Sequence, residues 1–205
     1  MTQLTTLSGL TAKQALARLE EGNARFMDGK SNFPTHQPEI LAELAKGQQP
    51  YVTILGCSDS RVPPELIFDA GLGELFIIRV AGNVLGPTIA GTLQYASTQL
   101  HTPLFVVLGH QGCGAIKAAL ALKLHAAEHP EKISLLLEVI MPALENINTA
   151  LPAPELLVSA VEANVRYTVK RIEESPEGRA HLESTQMRVI GAICDLDTGH
   201  VRFLE

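Results

Sequence analysis

The sequence has 205 residues, of which 46% are hydrophobic and 19% are charged, so it holds enough apolar material for one packed domain. Its formal net charge of −6 disfavours nucleic acid and anionic membranes as partners. The first residues lack the basic and apolar segments of an export signal, and no apolar run is long enough to span a bilayer, so we expect a cytoplasmic protein.

Two helices are predicted before the first strand. The first covers residues 11–28, where Thr11 and Gln14 match a capping box and apolar residues recur at helical spacing. The second is short and covers residues 40–45. We interpret residues 1–47 as a helical arm outside the main core, suited to lie on a second subunit, and residues 48–205 as the α/β core of the same single domain.

Continuous apolar runs predict the strands of the core, because such runs suit strands that are buried on both faces of a parallel sheet. Helical patterns separate the runs, and a turn at 197–199 leads into a short final strand. The sequence therefore predicts an α/β fold, with about four parallel strands plus a short antiparallel edge strand, flanked by helices. The predicted strands cover residues 51–55, 75–78, 104–108, 189–193 and 201–204, and the predicted helices among them cover 88–100, 115–125 and two long stretches beyond 133, the last being 155–174.

Two of these strand ends carry chemically reactive side chains. Cys57 follows the first strand, and His110 and Cys113 follow the third. Because sites form outside the carboxyl ends of parallel strands, the three residues are expected to converge. Two thiolates and one imidazole leave an open position on tetrahedral Zn²⁺, as in catalytic sites. A lone buried cysteine is usually a packing residue, which is our interpretation of Cys194, in the apolar strand predicted around 189–193.

A second feature is the pair Asp59 and Arg61, in the loop after Cys57. Alternation along the loop can turn both side chains to one side, where a bidentate ion pair would fix the orientation of the carboxylate. The competing interpretation is a solvated surface pair of little energetic value. The closeness of Asp59 to a candidate metal ligand favours the functional interpretation.

The motif Cys-x-Asp-x-Arg, followed by His-x-x-Cys, resembles the β-carbonic anhydrases, most clearly over residues 48–116. The resemblance implies a carbon–oxygen lyase that reversibly hydrates carbon dioxide to bicarbonate and a proton, by attack of zinc-bound hydroxide on CO₂. It implies one Zn²⁺ per chain, held by Cys57, His110 and Cys113. Asp59 and Arg61 would be the catalytic pair, with Asp59 as an alternative fourth ligand in a closed state. Since two thiolates cancel the charge of Zn²⁺, we expect an activity that rises with pH.

The same resemblance implies residues of the substrate pocket and an oligomer. Gln48, nine residues before the first cysteine, matches a pocket glutamine that the family contributes across a dimer interface. Tyr95 matches a pocket tyrosine of some members, and the Gly114 amide would face bicarbonate. We therefore expect a homodimer or a higher homo-oligomer. Some members place a tryptophan of a regulatory bicarbonate pocket where this chain has Ile54, so that regulation is not expected here.

Four alternatives remain open from the sequence. The nearest is hydrolysis of carbonyl sulfide or carbon disulfide on the same fold and metal. An alcohol dehydrogenase also uses Cys₂His zinc, but no G-x-G-x-x-G motif follows a strand here. A phosphatase or sulfurtransferase with Cys57 as nucleophile is disfavoured, because Asp59 would place negative charge in its anion cradle. The last alternative is a binding module with a closed, structural zinc site.

Overall fold

A computed structural model describes residues 9–32, 38–184 and 187–204 of the protein. The described residues form a central sheet flanked by helices on both faces. The strands are β1 (Val52–Gly56), β2 (Leu75–Arg79), β3 (Leu104–His110), β4 (Arg188–Cys194) and β5 (Val201–Leu204). The helices are α1 (Ala12–Met27), α2 (Pro38–Leu44), α3 (Pro64–Ile67), α4 (Pro87–Tyr95), α5 (Gly114–His125), α6 (Glu131–Ile140), α7 (Ala153–Glu174) and α8 (Pro176–Ser184). Short 3₁₀ turns cover Ala81–Asn83 and Met141–Leu144, and a π turn covers Ala96–Leu100.

The five strands lie in the order β2-β1-β3-β4-β5. The first four are parallel, and β5 runs antiparallel to β4 at the edge. Every residue of β1 and β3 is buried, as the continuous apolar runs predict for strands covered on both faces. The predicted α/β fold, with four parallel strands and one antiparallel edge strand, is confirmed.

The order of the strands creates a crevice beside β1. After β1 the chain adds β2 on one side, and then crosses over to add β3 on the other. At such a point the connections leave the carboxyl ends of the two adjacent strands in opposite directions, which opens a space for a ligand. The carboxyl ends of β1 and β3 are therefore the place where this fold builds a site.

Helix α1 packs directly on the main core. Thr11 caps it as predicted, since its side chain accepts a hydrogen bond from the Gln14 amide and the Gln14 side chain accepts one from the Thr11 amide. Ala15 and Leu19 are completely buried among residues of the sheet. Helix α1 therefore packs on the sheet of its own chain, where its apolar face is buried, whereas an arm would lie outside the core. The division at residues 47 and 48 stays a prediction.

Helix α7 lies unusually close to the sheet. Gly109 of β3 and Gly191 of β4 form a recess that receives Val165 of this helix. A Cβ atom added at Gly109 would lie 2.6 Å from Val165 Cγ2, and one added at Gly191 would lie 2.7 Å from Val165 Cγ1. Both distances are below any normal carbon–carbon contact. The two glycines therefore set the depth at which α7 packs on β3 and β4.

The helical elements differ from the prediction mainly where they are short. The predicted helix 88–100 begins one residue earlier and ends in the π turn, while α3 and α8 were not predicted. Within the described residues, no helix combines the length and the apolar character required to cross a bilayer.

Candidate metal centre

Three side chains meet at the carboxyl ends of β1 and β3. Cys57 directly follows β1, His110 is the last residue of β3, and Cys113 immediately precedes α5. All three are buried, and the candidate ligand atoms, one from each residue, lie within 4.8 Å of one another. The two Sγ atoms are 4.0 Å apart, close to the separation of about 3.8 Å that two thiolates have on tetrahedral zinc with bonds of about 2.3 Å. The expected convergence is present.

The imidazole of His110 is oriented for metal binding. Its Nδ1 lies 2.9 Å from the carbonyl oxygen of Gln111, so this nitrogen carries the hydrogen and donates it. Nε2 then bears a lone pair, and it is buried without a hydrogen-bond partner among the described residues. An unpartnered buried polar atom is costly unless a ligand satisfies it. A metal ion between Nε2 and the two sulfurs fits this arrangement, and the carbonyl contact is the support that metal-binding histidines usually have.

The two thiols are electrostatically coupled. A hydrogen bond from Cys113 lowers the pKa of the Cys57 thiol, and the same contact, together with burial, raises the pKa of Cys113. A divalent cation would allow both sulfurs to ionise, so the donor set matches Zn²⁺ in charge as well as in geometry.

Asp59 and Arg61 form the bidentate pair expected from the sequence. Arg61 Nε donates to Asp59 Oδ1 at 2.9 Å, and Arg61 Nη2 donates to Oδ2 at 2.7 Å. The backbone N–H of Arg61 also donates to Oδ1, at 3.0 Å. These bonds hold the pKa of Asp59 well below its usual range. Asp59 Oδ2 lies 3.9 Å from His110 Nε2, so an ionised carboxylate in a fixed orientation borders the three candidate ligands.

Two supporting groups were not identified from the sequence. Arg79, the last residue of β2, donates through Nε to the Cys57 carbonyl at 2.9 Å and through Nη2 to the Asp59 carbonyl. The N–H of Gly82 donates to Cys57 Sγ. Arg79 and Gly82 lie at least twenty residues along the chain from the groups that they contact, so no local pattern marks them. They fix the loop that carries Cys57 and Asp59.

The loop after His110 is anchored by Gln111. Its side chain donates to Asp197 Oδ2 at 3.0 Å and accepts from the Leu196 amide at 2.9 Å. The turn between β4 and β5 therefore supports the loop that carries His110 and Cys113.

The predicted pocket residues separate into two groups. Gly114 opens α5 beside Cys113, with free space where a side chain would be. Gln48 is exposed before the amino end of β1, so the length of that strand, about 17 Å, lies between it and Cys57. Tyr95 is 49% exposed, and its ring is 6.1 Å from that of Phe76, whose backbone is level with Thr53 in β1. Within a single chain, Gly114 lies at the site, whereas Gln48 and Tyr95 lie away from it.

Comparison with known proteins supports the same interpretation of the site. A family model described as carbonic anhydrase matches residues 52–201. Carbonic anhydrase 2 of Mycobacterium tuberculosis is 50% identical over 103 residues, which cover 50% of this chain and 50% of that protein. The chain thus matches about half the length of this relative. The carbonic anhydrase of Synechococcus elongatus is 31% identical over 199 residues, covering 91% of this chain and 70% of that protein. The crystal structure of the β-carbonic anhydrase CafA of Aspergillus fumigatus superposes with a TM-score of 0.76 at 27% identity, covering 94% of this chain and 90% of that one.

Proposed function

Because this chain belongs to the β-carbonic anhydrase family, we propose that it catalyses the reversible hydration of carbon dioxide to bicarbonate and a proton. The observation that carries the proposal is the buried cluster of Cys57, His110 and Cys113, in which His110 Nε2 has no hydrogen-bond partner in the part of the chain that the structure describes. One Zn²⁺ per chain, held by these residues, would supply a Lewis acid that activates water near neutral pH.

The residues around the cluster then have distinct tasks. Asp59 is ionised, so it accepts hydrogen bonds and donates none, and it selects a reacting group that still bears hydrogen. Arg61 keeps the carboxylate from rotating, because it contacts both oxygens. Such fixed orientation is worth a large factor in rate when an attacking group must be aligned. The same carboxylate is our candidate for a fourth zinc ligand in a closed state.

A homodimer or a larger homo-oligomer is part of the proposal. Strand β2 lies at an edge of the sheet with Leu75, Phe76 and Ile77 only partly buried. An exposed, apolar edge strand favours pairing with a second chain. Tyr95 lies beside Phe76 of this edge strand, and Gln48 is exposed. Neither residue reaches the site of its own chain, so a second copy of the chain would bring both of them to the site. A monomer in light scattering at working concentration would contradict this.

We also propose that the protein works in the cytoplasm. The cysteines Cys57, Cys113 and Cys194 are all free and buried, and zinc ligation requires the first two as thiolates. A reducing compartment keeps such thiols from oxidation. Fractionation of the source cells tests this, and recovery in the secreted or periplasmic fraction would contradict it.

The deciding experiment is stopped-flow measurement of CO₂ hydration with a pH indicator. Zinc-loaded protein should turn over rapidly in alkaline buffer, and removal of zinc by a chelator should abolish the rate. Carbonyl sulfide and carbon disulfide are the comparison substrates, because they share the linear shape of CO₂. Faster turnover of either of these, or no turnover by folded, zinc-loaded protein, would refute the proposed reaction.

A further inference from the structure

The sulfur of Cys57 receives a hydrogen bond from a backbone group held by a distant helix. The N–H of Gly82 lies 3.4 Å from Cys57 Sγ, a normal length for a bond to sulfur. The carbonyl of Gly82 accepts from Asn164 Nδ2 of α7 at 2.9 Å. The side chain of Asn164 is thus connected to a candidate metal ligand through a single residue.

The conformation of Gly82 explains why an anchor is needed. Its φ is +68°, in the left-handed region that glycine adopts without strain. A Cβ atom at this position would lie 3.0 Å from Ile140 Cδ1 and 3.2 Å from the Ala115 Cβ. Glycine is therefore favoured here, yet a glycine rotates more freely than other residues. The bond from Asn164 holds the peptide that follows the Gly82 Cα, and so restricts the rotation that would turn the Gly82 N–H away from Cys57.

Asn164 is itself rigidly placed. It is 2% exposed, and the next residue, Val165, is seated in the recess between Gly109 and Gly191. Its amide nitrogen donates to the Gly82 carbonyl in this buried turn, where a polar group without a partner would be costly. The position of the amide therefore follows from the packing of α7 on the sheet.

Hydrogen bonds to a metal-bound sulfur change the properties of the metal. A donated N–H draws electron density from a thiolate, so the sulfur becomes a weaker donor and the metal a stronger Lewis acid. Because two thiolates already weaken the Lewis acidity of zinc, the effect is useful in this donor set. We propose that Asn164 is a positioning residue, which holds the Gly82 N–H on the Cys57 sulfur and thereby raises the Lewis acidity of zinc at the site. This inference rests on the proposed zinc site.

The direct test is NMR of the protein loaded with an NMR-active cadmium isotope in place of zinc. Scalar coupling across the hydrogen bond should give a cross-peak between cadmium and the Gly82 amide proton. The backbone amides of Ala115 and Ile116, which lower the pKa of the Cys113 thiol, are the internal control. Cross-peaks at these amides but not at Gly82 would overturn the positioning role and leave the metal site intact. The absence of any signal from protein-bound cadmium would overturn the metal site, and with it both proposals.

Variants test the part played by the side chain. Asn164→Leu removes the donor, and Asn164→Ser is a milder change in case the first variant does not fold. Either should lose the Gly82 cross-peak, shift the pH profile of CO₂ hydration to higher pH, and lower turnover near neutral pH by about 10- to 100-fold. Thr168 is also a buried polar residue of α7, so Thr168→Val is the matched control. It should change neither the Gly82 cross-peak nor the pH profile of hydration. A retained cross-peak and an unmoved pH profile in the Asn164 variants would refute the inference.

Discussion

The substitution Asp59→Asn removes the charge of this side chain and nearly preserves its shape. An amide has one acceptor oxygen, so Arg61 keeps at most one of its two side-chain bonds, now 2.9 Å and 2.7 Å long. The amide nitrogen also presents a donor where the carboxylate presented only acceptors. We expect the variant to fold and bind zinc, but to align the reacting group poorly.

The expected losses of rate and of stability distinguish a catalytic role of Asp59 from a structural one. The side chains of Arg61 and Asp59 are 58% and 19% exposed, and an ion pair of this kind contributes about 0 to 1 kcal/mol to stability. Misalignment of a reacting group costs about 100-fold in rate. That factor corresponds to about 2.7 kcal/mol in the activation barrier. Turnover should therefore fall far more than stability.

The assay compares three measurements on Asp59→Asn and the wild type: zinc content, urea unfolding and stopped-flow CO₂ hydration. Glu43→Gln is the control, because it removes the charge of an exposed residue of the short helix α2 that pairs with Lys46, which lies just beyond the helix. It should match the wild type in all three. Asp59→Asn with full zinc content and undiminished turnover would show that the carboxylate does not act in the reaction. A loss of turnover matched by an equal loss of stability would show that its role is structural.

Four further predictions concern the metal, the second subunit, pH and the first helix. His110→Ala and Cys57→Ser should each lose bound zinc in metal analysis, and full occupancy in either would exclude that residue as a ligand. The variants Gln48→Ala and Cys57→Ser should each have low activity alone. When their subunits are mixed at random, about a quarter of wild-type activity should return, because half of the dimers then hold one intact site. No recovery would place Gln48 outside the partner's site. Hydration should rise with pH across the neutral range, since two thiolates weaken zinc as a Lewis acid, and a flat profile would refute this. Thr11→Ala should lower the free energy of unfolding by about 1 kcal/mol, and unchanged urea unfolding would show that the cap is not needed.

The strands and the cluster of candidate metal ligands could be predicted from the sequence, because each leaves a local signal. Strands covered on both faces are mostly apolar, and β1 and β3 are completely buried, with Thr53 and His110 as their only polar side chains. Cys57 and His110 lie at the carboxyl ends of these strands, so the rule for parallel sheets brings them together. The capping box of α1 is equally local, since both partners lie within one turn.

The remaining features depend on contacts that a local pattern cannot contain. Helix α3 is four residues long, too short for helical periodicity to register. Arg79 ends an edge strand and resembles a solvent-facing residue until its carbonyl partners are known. Asn164 lies on the buried side of α7, where a polar side chain has no evident partner until Gly82, 82 residues earlier, is found beside it. The predicted roles of Gln48 and Tyr95 depend on the proposed second chain, because one chain brings neither residue to the site.

The recess that receives Val165 has a consequence for how this protein tolerates change. A methyl group added at Gly109 or Gly191 would lie within 2.7 Å of Val165, and one at Gly191 would also lie 3.0 Å from Leu204 Cδ1, so these positions constrain one another by volume. In a library of random variants, we expect substitutions at the two glycines to survive mainly when residue 165 is alanine or glycine. Thermostabilising replacement of these glycines, a common engineering step, would here move α7 outward and shift the residues that surround the metal.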